Sequence, residues 1–461
     1  MHCGYVTTLK DVRPHPNADR LVLATCFTNT VCVAKDKYTE GQIGVYFPVD
    51  LQLSMEFCEQ NGLLAVYIDG VNVSGGYMDP SKRNIKAIKL RGEQSDGLFL
   101  PLECLAYTHV DLSTFNIGDT ITTVNGHEIC KKYIPRGKHP RTAAGGAGSR
   151  TKRRAKRSIA PVFYEHIDTE QLAYNLHMFK SGDLIEITRK LHGTSARTSH
   201  TKVLKGFKRN LLDIILRREG TPIYDWGTVS GTRRTVLDTF DGGFYGSNEF
   251  RKPYHDFFDG KLLKGETVYY EIVGFTLDGG PIMGVCNNKK LNDKEFVKKY
   301  GETTTFSYGC SPHVLVMDDT DGRNQRVIGQ SDIYVYRMTM TNEDGEVVEY
   351  TPDQMRHRCM YMGVKTVPVH WYGFIPENPG SYDDPTISAG EWVLKKAEQF
   401  YDGEEPIDPT HIREGVVVRV INRPTFTAYK HKNFQFKVLE GIIKETAEAP
   451  DMEEADGLDE E

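Results

Sequence analysis

The sequence predicts an α+β protein that opens with a small β-barrel of the OB type. Three observations carry this expectation. Short β-rich runs crowd residues 1–130, strand and helix patterns mix from about 161 to 445, and a Lys/Arg-rich stretch without apolar period separates the two. With 461 residues and 39% hydrophobic content, the chain has enough apolar material for packed cores, which excludes a wholly disordered protein. At about 150 residues per domain, the length predicts about three domains.

The elements follow in order. LVLATCF (21–27), VCVAK (31–35) and GVYFPVD (44–50) are β-rich runs separated by Asn, Asp and Gly signals. IKAIKLRG (85–92), GLFLPL (97–102) and IGDTITTV (117–124) continue the pattern. Short strands at this spacing suit a small closed barrel, so residues 1–130 read as an OB module. PRGKHPRTAAGGAGSRTKRRAKR then breaks the periodicity, and 131–160 reads as a basic flexible linker. In 161–445, DTEQLAYNLHMF (168–179) has a helical pattern with Asp168 or Thr169 as N-cap. DLIEITRK (183–190), TVYYEIVGF (267–275), DIYVYRMTM (332–340) and EGVVVRVI (414–421) are strand-like. The tail, 446–461, is acidic and expected to be disordered.

The net charge of −6 hides this division. Residues 131–157 hold eleven Lys/Arg and no acid, while 445–461 hold nine Asp/Glu and no base. The basic block would favour phosphate backbones through counterion release, without reading sequence. No run approaches about 18 apolar residues, so no membrane span is expected. The start lacks an apolar leader core, and nine scattered cysteines form no CxxC pair. A cytoplasmic protein with reduced thiols is the expectation.

The most informative segment for chemistry is RKLHGTSART (189–198). Lys190 ends a strand pattern, and Gly193 follows three residues later. A lysine desolvated by a sheet is a candidate nucleophile, because attack needs a neutral amine and burial favours that form. KxxG alone is weak, and taken by itself it favours a plain surface lysine. Glu271 lies inside the apolar run YYEIVGF, and Glu414 opens the β-branched run EGVVVRV. Each is either a carboxylate on an exposed strand face or an acid pointing into a cleft. Lys430 and Lys432, at i and i+2 in AYKHKNFQFK, share one face of a strand and can meet one phosphate.

In order, KLHG, YEIVG, YVYRM, EGVVVR and YKHKN resemble the five nucleotidyltransferase motifs of the covalent ATP-dependent ligases and mRNA capping enzymes, most closely the RNA ligases. DVRPHPNADRLVLATC (11–26), GVYFPVDLQL (44–53) and IKAIKLRGEQSDGLFLPL (85–102) resemble the N-terminal OB module of Deinococcus-type nick-sealing RNA ligases. HPNADRL is also similar to the OB domain of tRNA-binding proteins. The resemblance covers roughly 1–125 and 161–445. It implies an ATP-grasp-like antiparallel-sheet nucleotidyltransferase domain behind the barrel.

It further implies that Lys190 attacks the ATP α-phosphorus, giving a lysyl-AMP that is passed to an RNA 5′-phosphate and displaced by a 3′-OH. His192 and Gly193 belong to the nucleophile loop. Lys430 and Lys432 would neutralise the α-phosphate, Glu414 would coordinate Mg²⁺ or Mn²⁺, and Glu271 would hold the ribose or the metal. Tyr336, with Tyr334 as alternative, would stack on adenine. Arg233 would contact the ATP sugar or a 5′-phosphate, and Arg197 the phosphate end. The implied partner is RNA, as a nicked duplex or as ends, and the implied state a monomer.

Two departures bear on this. Position 192 is His where DNA ligases usually have Asp, which points to the RNA ligase subset. The segment 276–330 reads as an insertion. A GTP-using capping-type guanylyltransferase, or a non-catalytic RNA- or tRNA-binding protein descended from a ligase, are the alternatives.

Overall fold

Short β-rich runs buried on both faces build the N-terminal barrel, with neighbouring residues such as Val45 and Tyr46 entering different cores. In the computed structural model, which describes residues 2–49, 51–68, 71–76, 78–133, 159–211, 220–237, 239–241, 248–317, 325–380 and 386–440, Leu98–Pro101, Ile43–Phe47, Gly4–Thr8 and Thr120–Ile121 form one antiparallel sheet in that order. A meander of Lys10–Pro14, Leu21–Cys26 and Asn29–Ala34 forms a second. The inward residues of the first sheet (Val6, Val45, Phe47) meet Leu51, Phe57 and Leu105 in one core. Those of the meander (Val22, Ala24, Val31, Val33) meet Tyr46 and Phe99 in another. Cys130–Lys132 pairs with Leu51–Leu53, so Lys131 and Lys132 complete the barrel rather than begin a linker. The rest of the basic stretch up to 158, and the acidic tail, lie outside the described residues.

The second region consists of two sheets facing one another. The first has the order Glu170–Gln171, Thr427–Lys432, Gly415–Val420, Leu184–Lys190, Val369–Phe374; only the Glu170–Gln171 pairing is parallel. The second runs Val236–Leu237, Thr221–Thr232, Thr194–Lys208, Glu266–Gly274, Ser331–Thr341, Val347–Glu349. Helices close the outer faces. Pro352–Met362 starts on a capping box of Thr351 and Gln354, and Ala389–Glu398 on one of Ser388 and Glu391. Each such cap is worth about 1 kcal/mol.

The helix expected over 168–179 does not form. Glu170–Gln171 pairs as a strand, and 3₁₀ turns follow at Leu172–Tyr174 and Leu176–Met178. Tertiary packing is the cause. Leu172 is buried in the core of the first sheet, while the Tyr174 ring sits among three barrel rings, 4.6 Å from Tyr5, 4.9 Å from Phe27 and 6.1 Å from Tyr46. An amphipathic α-helix would present one face to one partner; here neighbouring residues must reach two modules.

Part of the segment 276–330 is built into the core, while its hairpin Val314–Met317 with Gln325–Ile328 is largely exposed. Leu291, Phe296, Phe306 and Tyr308 pack with Leu191 and Phe436 into the core behind the loop that follows Lys190.

Candidate active site

Strand register assembles the site. Lys190 is opposite Gly415, and Gly415 is opposite Lys432. Glu414, immediately before Gly415, therefore lies between the two lysines. Its Oε1 is 2.8 Å from Lys190 Nζ and 3.1 Å from Lys432 Nζ. Lys432 also reaches Glu440 Oε2 at 2.6 Å. The close approach of the strands requires glycine at 415, where φ is +146° and a Cβ would fall 2.1 Å from the His431 carbonyl oxygen. Glu414 is almost wholly buried. Burial alone would raise its carboxyl, but Lys190 and Lys432 override that and hold it down at about 2. Burial works against the ammonium of Lys432 as well, yet Glu414 and Glu440 raise its pKa.

After Lys190 the chain crosses from one sheet to the other through Leu191, His192 and Gly193. A Cβ on Gly193 would meet the Ile272 carbonyl oxygen at 2.3 Å and Glu271 Cγ at 2.9 Å, so the loop can pass only as glycine. The His192 N–H donates to Tyr308 Oη at 2.7 Å, and its ring lies edge-on to Phe306 and Phe436, each 4.8 Å away. Burial in this apolar setting lowers His192 to about 4, so it is neutral at pH 7.

The loop borders a cavity of about 470 Å³ between the sheets, lined by Lys190, Glu271, Tyr336, Glu414, Lys430 and Lys432 among others. Glu271 accepts a hydrogen bond from Ser195 Oγ at 3.0 Å. It opens to the cavity, yet its depth in the protein raises it to about 7 against the pull of Lys190. Lys430 is lowered to about 8 by burial and by the neighbouring charges of Lys190, Lys432 and Arg233. Of the two candidate tyrosines, Tyr336 lines the cavity and Tyr334 belongs to the core behind it.

Arg233 lines the cavity mouth with its guanidinium 2.6 Å from Asp168 Oδ1, and Arg234 takes the other oxygen at 2.9 Å. Arg197 is the residue that the fold does not bring to the cavity. Its guanidinium is buried 4.4 Å over the Phe163 ring and donates to the Tyr164 carbonyl, so it pins the chain entering the second region. Arg197, expected at the phosphate end, thus lies behind Phe163 and Tyr164 and does not line the cavity, with its Nε unpaired.

Sequence reasoning missed several lining residues. His166 stands edge-on to Tyr336 at 5.3 Å and forms part of the wall; burial lowers it to about 3. Glu440 came without a motif. Ser195, inside GTSART, was within view as a hydroxyl two residues after Gly193, but only the register Ser195 to Glu271 gives it a partner. Two polar groups of HPNADRL, by contrast, are used internally: His15 Nε2 meets the Leu90 carbonyl at 2.9 Å and Asn17 Nδ2 donates to the Arg91 carbonyl at 3.0 Å.

Among the described residues no group of three or more His, Cys, Asp and Glu forms a ready metal cage. Glu271 and Glu414 nevertheless both face the cavity, and Glu414 Oε2 has no hydrogen-bond partner. That donor set fits a hard cation that keeps several waters and takes its remaining ligands from phosphate oxygens. No helix among the described residues is long and apolar enough to cross a membrane.

Comparison with known proteins bears on the fold. A family model described as an OB-fold domain matches residues 4–102. No curated protein matches the chain. Among solved structures, it is similar to Naegleria gruberi RNA ligase with PPi, with a TM-score of 0.50 and 14% identity over 95% of this chain and 98% of that one. Two mutants of that ligase with ATP and Mn give 0.52 at 14% identity and 0.51 at 15%, with the same coverage. The chain shares the fold of these ligases. An OB-fold domain is followed by a sheet-rich domain, and the likeness in fold spans nearly the whole length of both chains.

Proposed function

We propose that this protein is an ATP-dependent RNA ligase that joins 5′-phosphate and 3′-OH ends, at nicks in a duplex, through a lysyl-AMP and an RNA adenylated at its 5′ end. The observation that carries this reading is the convergence of Lys190, Glu414 and Lys432 within hydrogen-bond distance in one cavity. A lone lysine would suit many roles. A lysine at the wall of a nucleotide-sized cavity, with a carboxylate beside it and two further lysines in the wall, suits phosphoryl transfer.

In the first step Lys190 Nζ attacks the α-phosphorus in line with the pyrophosphate leaving group. A P–N bond forms, the bond from phosphorus to the bridging oxygen breaks, and pyrophosphate departs. Glu414 Oε1, 2.8 Å away, holds the Lys190 Nζ in place, and the proton that Lys190 must lose before attack passes to solvent. Lys430 and Lys432 oppose the negative charge on the α-phosphate oxygens. Tyr336, held by His166, offers its ring to the base, and Glu271 with Ser195 offers hydrogen bonds to the ribose. A divalent cation held through Glu414 and Glu271 would supply further charge neutralisation on the phosphates. In the later steps an RNA 5′-phosphate oxygen attacks the same phosphorus and releases Lys190, and a 3′-OH then displaces AMP. Arg233 exchanges Asp168 for a phosphate in this account. The OB-fold domain and the solved ligases support RNA as the substrate class.

Incubation with α-³²P-ATP and Mg²⁺ or Mn²⁺, followed by a denaturing gel, tests this directly. Wild type takes up label and Lys190→Ala takes up none. Unlabelled wild type would sink the proposal, and label from GTP but not ATP would move it to the guanylyltransferases.

A further inference from the structure

The longest hairpin of the molecule outgrows its sheet. Thr194–Lys208 pairs with Thr221–Thr232 along its length, but the next strand flanks it only over Thr194–Ser199. From His200 outward the two strands stand as a ribbon; the Gly265 N–H donates to the His200 carbonyl at 2.8 Å, Val203 packs on Ala160, Phe163 and Val229, and a further brace is the Leu204 N–H donating to the Ile159 carbonyl at 2.8 Å. The ribbon is rooted in the cavity: Thr194 and Ser195 at the start of one strand, and Thr232 at the end of the other, line it. From Ser195 to Lys208 the span is roughly 40 Å at about 3.3 Å per residue.

Its charge is one-sided. The outgoing strand carries Lys202, Lys205, Lys208 and then Arg209, whereas the returning residues 220–227 carry Asp225 alone. The cations also project from both sides. Lys202 Nζ lies 4.8 Å over the Trp226 ring, with Lys264 Nζ 5.4 Å from the same ring. Lys205 Nζ lies instead beside Gly227, 3.1 Å from where a Cβ would stand. Trp226 and Gly227 are consecutive in a strand and face opposite ways. Lys202 and Lys205 are three residues apart, so the alternation of the strand puts them on opposite faces, Lys205 on the side of Val203 and Gly227. Lys202 Nζ also lies 3.9 Å from Glu343, which is largely exposed. Beyond the brace, Phe207 and Ile223 are 41% and 48% exposed, so packing does not account for the ribbon's length.

We infer that this ribbon is a backbone-contact surface for the RNA duplex flanking the ends to be joined. A groove of A-form RNA lies between two phosphate rows, and a narrow ribbon with ammonium groups on both sides can oppose both rows at once. A single strand offers one row. Trp226 acts here by fixing two cations, since ammonium groups already occupy its ring, and the contact reads no sequence. The inference rests on the ligase reading for the purpose of the RNA, but the contact is measured by binding alone.

The test compares full-length wild type with the triple variant Lys202→Gln, Lys205→Gln, Lys208→Gln. The probe is a fluorescent nicked RNA duplex of about 24 base pairs, with single-stranded RNA of the same sequence beside it, titrated across a KCl series. The variant is expected to bind duplex about tenfold more weakly at ~0.1 M salt, with a salt slope shallower by about two to three. Single-stranded RNA should lose less, the corresponding Lys→Arg triple should bind as wild type does, and self-adenylation should be unchanged. Duplex affinity and slope within twofold of wild type would overturn the inference, as would equal loss on single-stranded RNA. Lysine-dependent duplex binding by a wild type that takes no label from ATP would sink the ligase reading alone.

Discussion

Glu414 and Glu271 share a cavity and have opposite electrostatics. Glu414 has two ammonium groups at hydrogen-bond distance and stays ionised; Glu271 has only a hydroxyl there, and burial raises it to about 7 from an ordinary 4.5. Between those two values the folded state holds a proton that the unfolded chain releases. Stability from Glu271 is therefore full below about pH 4.5 and falls as pH rises through 7. Glu271→Gln removes this component, so its Tm should decline less than that of wild type between pH 5 and pH 7.5, measured without divalent cation. Parallel Tm profiles would show that Glu271 does not titrate in this range. Glu414 has the reverse sign: its contribution is present above its unfolded pKa and is lost as pH falls towards 2. Candidate residues of this kind were legible as acids inside apolar strand runs. Their different protonation was not, because it depends on which cations the fold places beside each.

At the scale of elements, the crossing from nucleophile strand to hairpin is the most constrained part of the fold. Gly193 touches the backbone at Ile272, and Tyr308 holds the next residue back by its amide. Gly193→Ala must displace one strand or the other. It should cost about 1–3 kcal/mol by urea denaturation and lower the rate of self-adenylation at least tenfold. Wild-type labelling in a stable Gly193→Ala protein would contradict the geometry. The strands themselves were readable: 183–190 was expected and Leu184–Lys190 is found, and 332–340 was expected and Ser331–Thr341 is found. Their β-branched and aromatic runs are long and bounded by turn residues. The segment 168–179 was misread because its periodicity is helical while its contacts are not; burial of Leu172 and Tyr174 in separate modules outweighs a few tenths of a kcal/mol of propensity per residue. Residues 276–330 gave no signal of their purpose, since Phe306 and Tyr308 meet the His192 loop only in three dimensions.

For the whole molecule, Tyr174 is the principal joint. It leaves the second region and enters the aromatic cluster of the barrel, so the two modules are packed together rather than merely linked. Tyr174→Ala should destabilise the protein by about 3 kcal/mol, seen as a lower Tm. It should also leave self-adenylation within a few-fold of wild type while reducing sealing of nicked RNA by a larger factor, because the cavity is intact but the barrel is no longer held beside it. Equal losses in both assays would show that the joint supports the cavity itself.

What the sequence by itself determined was local and ordered: the strand runs, the reactive lysines and carboxylates along the chain, and the separation of basic and acidic blocks. Periodicity and turn chemistry encode those features within a few residues, and a resemblance in motif order joined them into one expectation. The tertiary structure alone decided which side chains meet. Lys190 and Glu414 are more than two hundred positions apart and become neighbours through strand register. Tyr336 and Tyr334 leave the same face of their strand, and only packing decides that Tyr336 borders the cavity while Tyr334 is buried in the core with Leu191 and Val367; Arg197 shares the sheet face of Ser195 but is covered by the Phe163 ring, more than thirty residues upstream. Pairing between distant strands is set by the global packing of apolar faces, and no local pattern carries that information.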